Sequence, residues 1–111
     1  MQKIFGYASL YNYEEKVNFA QLKKAFGNNF EVYNGVGSLN SNNNCKTLDI
    51  LLDALIDNYH LLKISKVDDI SIYITLAYKE QANWSVSPEQ MNKLSFLNAA
   101  LCVTAYEASD E

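Results

Sequence analysis

Three aspartates repeat at four-residue spacing in the middle of the chain, at Asp49, Asp53 and Asp57. In an α-helix this spacing places all three carboxylates along one solvent-facing edge. Like charges at this spacing repel by about 0.2–0.5 kcal/mol per pair. That cost can be tolerated for solubility, or kept because a basic partner neutralises it. These three residues, here called the acidic stripe, therefore indicate either a solvated helix face or a surface that binds a cationic molecule.

Other residues that could carry chemistry are few and widely spaced. The single histidine, His60, lies three residues after Asp57, but a metal site needs three or four ligands. Cys45 and Cys102 fit no metal-ligand spacing, and we expect them to be reduced thiols. No nucleophile elbow, calcium loop or phosphate-binding glycine motif occurs. We therefore expect no metal, no cofactor and no catalysis, while a hydrolase built from carboxylates distant in sequence stays open.

Length and charge narrow the class of partner. The 111 residues are 49% hydrophobic, which predicts a single folded domain over residues 1–111. Thirteen acidic residues stand against nine basic ones, the net charge is -4, and every basic residue is a lysine. Without arginine the chain lacks the planar fork that reads phosphate and guanine, so we expect no nucleic-acid partner. A positively charged protein, or no partner, fits better.

No segment of the sequence predicts export or membrane insertion. The amino terminus lacks an apolar stretch followed by a small-residue cleavage site. No run approaches the roughly 20 apolar residues of a membrane span. We expect a cytoplasmic protein that does not bind membranes.

Alternating apolar residues predict the strands. The patterns cover residues 3–11, 70–78 and 101–106 clearly and residues 30–33 weakly. Gly6 and Ala8 fall on the same side of the first strand as Ile4 and Leu10. Because they are small, a helix could approach this side closely, and we predict that it is buried.

Helical spacing predicts three helices. They cover residues 17–26, residues 48–62, and a segment that starts at Ser87-Pro88 and ends near Asn98. Asn18 and Thr47 are the predicted N-caps of the first two helices. Residues 35–44 are rich in glycine, serine and asparagine, which favours turns and predicts a mobile loop.

These elements together predict an α+β domain. The predicted order is β-α-(β)-α-β-α-β, in which the bracketed strand is the weak one. Strands that alternate, rather than being continuously apolar, favour one sheet with helices on a single face. We therefore expect a ferredoxin-like sandwich.

Four tyrosines would lie on the uncovered side of this sheet. If Ile4 and its neighbours face the helices, then Tyr7, Tyr11, Tyr73 and Tyr106 face away from them. Tyrosine supplies a large contact area at low entropic cost and is enriched at interfaces. It also suits half-exposed strands without any binding role. The pattern leaves open whether this side is a docking surface, a homodimer interface or neither.

Several segments carry a resemblance to known proteins. They are Thr47-Leu48-Asp49-Ile50-Leu51-Leu52-Asp53-Ala54-Leu55, the strand Ile70 to Tyr78, Ser85-Val86-Ser87-Pro88-Glu89-Gln90-Met91, and the end of the last strand at Tyr106-Glu107. Their order resembles a group of small bacterial cytoplasmic domains of unknown function, similar to immunity proteins of polymorphic toxin and contact-dependent growth inhibition systems. The family's glycine-rich middle segment is represented here only by Gly35 and Gly37.

The resemblance, together with the acidic helix, the absence of arginine and the missing catalytic set, leads us to expect a non-enzymatic immunity protein. It would bind and neutralise the toxic domain of a delivered bacterial toxin, with a basic nuclease as the expected toxin. The expected partner-binding residues are Asp49, Asp53, Asp57, Glu14, Glu15, Tyr7, Tyr11, Tyr73 and Tyr106. The aspartates and glutamates would meet basic residues of the toxin and speed association, while the tyrosines would supply contact energy. The alternative is a small-ligand or regulatory binding module that acts as a homodimer.

Overall fold

Five strands and four α-helices make up the part of the chain that the computed structural model describes, residues 2–108. In chain order they are β1 (Lys3–Tyr11), α1 (Ala20–Phe26), β2 (Phe30–Tyr33), β3 (Val36–Ser41), α2 (Thr47–Asp57), α3 (Tyr59–Ile64), β4 (Asp69–Tyr78), α4 (Pro88–Leu97) and β5 (Ala100–Glu107). The predicted α+β class is confirmed, as are the four predicted strands.

One mixed sheet contains all the strands, in the order β2-β3-β1-β4-β5. β1 lies in the middle and is antiparallel to both neighbours, with Ala8 opposite Leu39 on one side and Ile72 on the other. β5 is parallel to β4, because α4 carries the chain back along the sheet between them. The ferredoxin-like order is not confirmed, since the sheet has an additional strand, β3, and the middle helix is divided.

The additional strand lies where the sequence predicted a mobile loop over residues 35–44, and that prediction is wrong. Asn34 and Gly35 both have positive φ, 52° and 78°, and form a two-residue hairpin turn between β2 and β3. Gly37 and Leu39 of β3 are buried, while the alternate residues Ser38 and Asn40 point to the other side. Because only one side of this strand is buried, its other side carries polar residues, and these gave the segment the composition of a loop.

The predicted helix over residues 48–62 is divided into α2 and α3. Asn58 leaves helical geometry, with φ -111° and ψ 21°, and its side-chain amide donates to the Ala54 carbonyl at 2.9 Å. Thr47 is not an N-cap but a buried residue inside α2. Its hydroxyl donates to the Ile4 carbonyl at 3.2 Å and accepts from the Asn43 amide at 2.9 Å. This side chain therefore ties the start of α2 to β1.

The start of α4 was predicted correctly from the sequence, whereas the start of α1 was not. α1 begins at Ala20, later than predicted, and Asn18 is not its N-cap residue although its side chain accepts from the Ala20 amide at 3.2 Å. α4 begins as predicted, with Ser87 as N-cap and Pro88 as its first residue, and Ser87 and Gln90 also exchange hydrogen bonds in a capping box. It ends at Leu97, and its C-cap residue, Asn98, has the left-handed conformation.

The helices pack on one side of the sheet, as the alternation predicted. Ile4, Gly6, Ala8 and Leu10 of β1 are all buried on that side. Leucines of α2 fill the space above them: Leu48, Leu51, Leu52 and Leu55 are each 2% exposed or less. We call the other surface of the sheet the open face. None of the four helices between residues 2 and 108 has the length and apolar character of a transmembrane segment.

Candidate functional site

The centre of the open face carries a stacked pair of tyrosines. Tyr7 of β1 and Tyr73 of β4 are directly opposite each other in the sheet. Their ring centroids are 4.9 Å apart with an angle of 21° between the planes. The two residues remain 40% and 37% exposed although they lie on central strands. Because each ring fixes the other, the pair presents a rigid aromatic surface to solvent.

Other aromatic residues extend this surface. Tyr106 of β5 is 47% exposed and is opposite Ala77 of β4, which places it on the open face. Phe5 and Tyr33 lie on the same face by their register, and neither was among the predicted binding residues. The position of Tyr33 could not be inferred without recognising the hairpin. Phe5 shares the alternation of Tyr7 and could have been identified from it.

The fourth predicted tyrosine, Tyr11, forms a separate cluster at the carboxyl end of β1. Its hydroxyl is hydrogen-bonded to that of Tyr13 at 2.8 Å, and the two rings meet edge to face at 4.8 Å. This hydrogen bond is the largest cause that raises the pKa of Tyr11 to about 12, with burial and the charge of Asp69 adding to it. Tyr11 thus extends the open face toward one end of the sheet.

A shallow concavity of about 580 Å³ adjoins the tyrosine pair. Its lining comes from Phe5, Tyr7 and Thr75 of the sheet, from Ile50 of α2, and from several amide and hydroxyl side chains near the end of β3. The lining contains no charged residue. The concavity therefore suits a neutral group that can contact an aromatic ring and form hydrogen bonds with amides.

The acidic stripe lies in the helix layer, and two of its members contact α4. Gln90 donates its side-chain amide to Asp49 at 2.9 Å, and Lys93 is paired with Asp53 at 2.8 Å. The Asp53 hydrogen bond is the largest cause that raises the pKa of Lys93 above its usual range. Asp57 is exposed and has no such contact within residues 2–108. The stripe therefore joins two helices, and only part of its charge is available to a partner.

Glu14 and Glu15 are distant from the start of the stripe. Both are exposed, and their backbone amides donate to the side chain of Asn12 in the turn that follows β1. Thr47, two residues before Asp49, is bonded to Ile4 near the other end of β1. Ile4 lies seven positions before Tyr11, the last residue of β1, a distance of about 23 Å. The glutamates and Asp49 therefore do not form one patch.

The predicted binding residues consequently form two surfaces on opposite sides of the sheet. The tyrosines line the open face, whereas the acidic stripe lies among the helices that cover the other side. A partner seated on the stacked tyrosines does not contact the stripe at the same time. The negative charge can still influence such a partner at a distance, since fields between exposed charges extend about 8–10 Å at physiological salt.

The remaining candidate residues form no cluster in the described part of the chain. His60 and the two free cysteines, Cys45 and Cys102, are exposed. Among residues 2–108 no group of three or more histidine, cysteine, aspartate or glutamate side chains is placed to hold a metal ion.

Comparison of the chain with protein-family models, with curated proteins and with solved structures finds no match. The resemblance to immunity proteins therefore stays a prediction.

Proposed function

We propose that this chain is a binding protein that docks another protein on its open face, and that it serves as the immunity partner of a bacterial toxin. The observation that carries the proposal is the exposed, stacked pair of Tyr7 and Tyr73 at the centre of the sheet. Rigid tyrosines at the centre of a surface are typical residues of binding hot spots, because little conformational entropy is lost when they are covered.

The acidic stripe has a supporting role in this proposal. A net charge of -4 steers a basic toxin domain, such as a nuclease, toward the protein before contact is made. Because Asp49 and Asp53 also hold α4, replacing them alters helix packing as well as charge. Asp57→Asn isolates the electrostatic effect. We expect slower association with the toxin, a smaller dependence on salt and an unchanged dissociation rate, measured by surface plasmon resonance.

The proposed function is tested in living cells. The candidate toxin would be the carboxyl-terminal domain of a large secreted protein, if one is encoded next to this chain. Co-expression of the two should protect the cells. The double variant Tyr7→Ala/Tyr73→Ala should lose protection, whereas Phe96→Ala should retain it. Phe96 is a matched control because it also pairs with a second ring, Tyr59 at 4.7 Å, but is exposed on α4 in the helix layer.

Two outcomes would oppose this proposal. If the double variant folds and still protects, the open face is not the docking surface. If no adjacent toxin exists and the pure protein converts a substrate through its own side chains, the protein is not an immunity partner.

The uncharged concavity beside Tyr7 favours a second candidate, a small-ligand or regulatory binding module. Its volume of about 580 Å³ falls within the range of small-molecule sites. A thermal-shift screen with neutral metabolites separates the two candidates. A compound that raises the melting temperature of the wild type, but not that of a variant with Asn42→Leu in the lining, would favour the binding module.

A further inference from the structure

The two edges of the sheet differ in how they are protected. β2 at one edge has four residues and carries a charge at Glu31. β5 at the other edge has eight residues, of which the first seven, Ala100 to Tyr106, are uncharged. Proteins protect exposed edges with short strands, charges, proline or bulges. β5 has none of these over its first seven residues.

β5 is also exposed on both of its sides. Tyr106 is 47% exposed on the open face. Val103 lies opposite Ile74 and therefore points to the helix side, yet it is 46% exposed. The helix layer thus stops short of this strand. Phe96 and Met91 of α4, at 56% and 52%, add exposed apolar area in the helix layer.

The unpaired hydrogen-bonding groups of β5 can be assigned. The amide of Ala108 donates to the carbonyl of Tyr78 in β4. Along a strand, alternate residues direct their backbone groups to the same side. The even-numbered residues of β5 therefore face β4, while Leu101, Val103 and Ala105 direct their N–H and C=O groups outward.

From this arrangement we infer that β5 pairs in antiparallel fashion with β5 of a second copy, so that the two sheets become one ten-stranded sheet. A two-fold axis perpendicular to the sheet keeps both open faces on the same side. Each odd-numbered residue must then lie opposite an odd-numbered residue of the second copy, and each even-numbered residue opposite an even-numbered one. An axis at Val103, the midpoint of the uncharged run, fulfils this condition. It places Val103 opposite itself, Leu101 opposite Ala105, and Cys102 opposite Thr104.

This register satisfies all the outward groups of the uncharged run. Each of three hydrogen-bonded residue pairs exchanges two bonds, which gives six main-chain hydrogen bonds. Glu107 falls outside the paired run, so no like charges meet. At one hydrogen bond per 100–200 Å², six bonds correspond to an interface of about 600–1,200 Å². That area lies below the roughly 1,200–2,000 Å² of stable complexes and is typical of weak, transient ones, so we expect a dimer that depends on concentration.

The inference is independent of the proposed toxin partner. The dimer would nevertheless affect toxin binding, because its two open faces form one continuous surface that can bind two toxin domains side by side.

The first experiment measures molar mass by light scattering after size exclusion, over a series of concentrations of the full chain. We expect the mass to rise from 12.6 kDa to twice that value. Val103→Lys places two lysines together at the two-fold axis and should weaken the dimer at least tenfold. Ile64→Lys is the matched control, because Ile64 is an aliphatic residue at the end of α3 that is 55% exposed, against 46% for Val103. It should leave the dimer intact.

The second experiment tests the register by cross-linking. In a Cys45→Ser background, Thr104→Cys introduces a thiol opposite Cys102 of the second copy. Cα atoms in such a pair are about 4.5–5.5 Å apart, which a disulfide can span. Mild oxidation should give a covalent dimer. Thr75→Cys in the same Cys45→Ser variant is the control, since its thiol lies on the open face of β4, away from the second copy. It should form no more covalent dimer than the Cys45→Ser variant alone.

A monomer at all concentrations would overturn the inference. So would a dimer that survives Val103→Lys, or one that is lost with Tyr7→Ala/Tyr73→Ala, since the latter result would place the interface on the open face. Circular dichroism of each variant shows whether the fold is retained. The cell-protection assay with Val103→Lys tests the proposed function separately, because this substitution weakens the dimer and leaves the stacked tyrosines in place.

Discussion

Gly6 of β1 packs closely against β4, and replacing it is predicted to destabilise the protein. A Cβ atom at this position would lie 2.5 Å from the Tyr73 carbonyl oxygen and 2.8 Å from Cδ1 of Ile74. A comfortable carbon–oxygen contact is about 3.3–3.6 Å, so the strands must separate by nearly 1 Å. Overpacking of this kind costs about 1–3 kcal/mol. For a domain of this size, Gly6→Ala should lower the melting temperature by about 4–12 °C.

Gly37→Ala is the informative comparison for this prediction. A Cβ atom there would meet ring atoms of Phe30 and Phe19, at 2.6 and 2.7 Å, rather than backbone. Rings can turn aside more readily than a paired strand can shift. Thermal unfolding followed by circular dichroism should therefore show a smaller loss for Gly37→Ala than for Gly6→Ala. If Gly6→Ala unfolds at the wild-type temperature, or if the order of the two variants is reversed, the close approach of β1 and β4 is incorrect.

Two further predictions concern the capping box and Tyr11. Ser87→Ala removes the oxygen that accepts from the Gln90 amide and should cost about 0.5–2 kcal/mol in chemical denaturation, while Ser85→Ala, outside the box, should cost less. Tyr11 should ionise near pH 12 in an NMR titration, and Tyr13→Phe should move its pKa back toward 10. Since the folded chain keeps a proton that the unfolded chain loses in this interval, the contribution to stability is complete below pH 10 and disappears as the pH rises toward 12. An unaltered Tyr11 titration in Tyr13→Phe would mean that the hydroxyl bond is not the cause.

The elements that the sequence predicted well are those with a strong local signal. β1 and β4 alternate along most of their length between residues that are buried and residues that are more exposed, and α4 begins with Ser87 as N-cap and Pro88 as its first residue. Such signals do not depend on distant parts of the chain.

The features that were missed depend on contacts between segments distant in sequence. β3 buries only Gly37 and Leu39, and its polar side chains gave it the composition of a loop. The Asn34-Gly35 turn was the available signal. The break at Asn58 and the burial of Thr47 depend on how α2 and α3 fit over the sheet.

The candidate site was predicted in part. Alternation correctly assigned Tyr7, Tyr73 and Tyr106 to the open face. It could not show that Tyr7 and Tyr73 would stack, because that requires the register between β1 and β4. Nor could helical spacing show that Asp49 and Asp53 would contact Gln90 and Lys93, some forty residues away along the chain.

The central claim is that this protein acts by binding another protein through the stacked tyrosines of its open face. Isothermal titration calorimetry with the proposed toxin domain, if one is encoded beside this chain, tests that claim most directly. Tyr7→Ala/Tyr73→Ala should weaken binding by at least about thirtyfold, the effect of a hot spot worth 2 kcal/mol, while Phe96→Ala should bind like the wild type. Equal affinities for the wild type and a folded double variant would contradict the account.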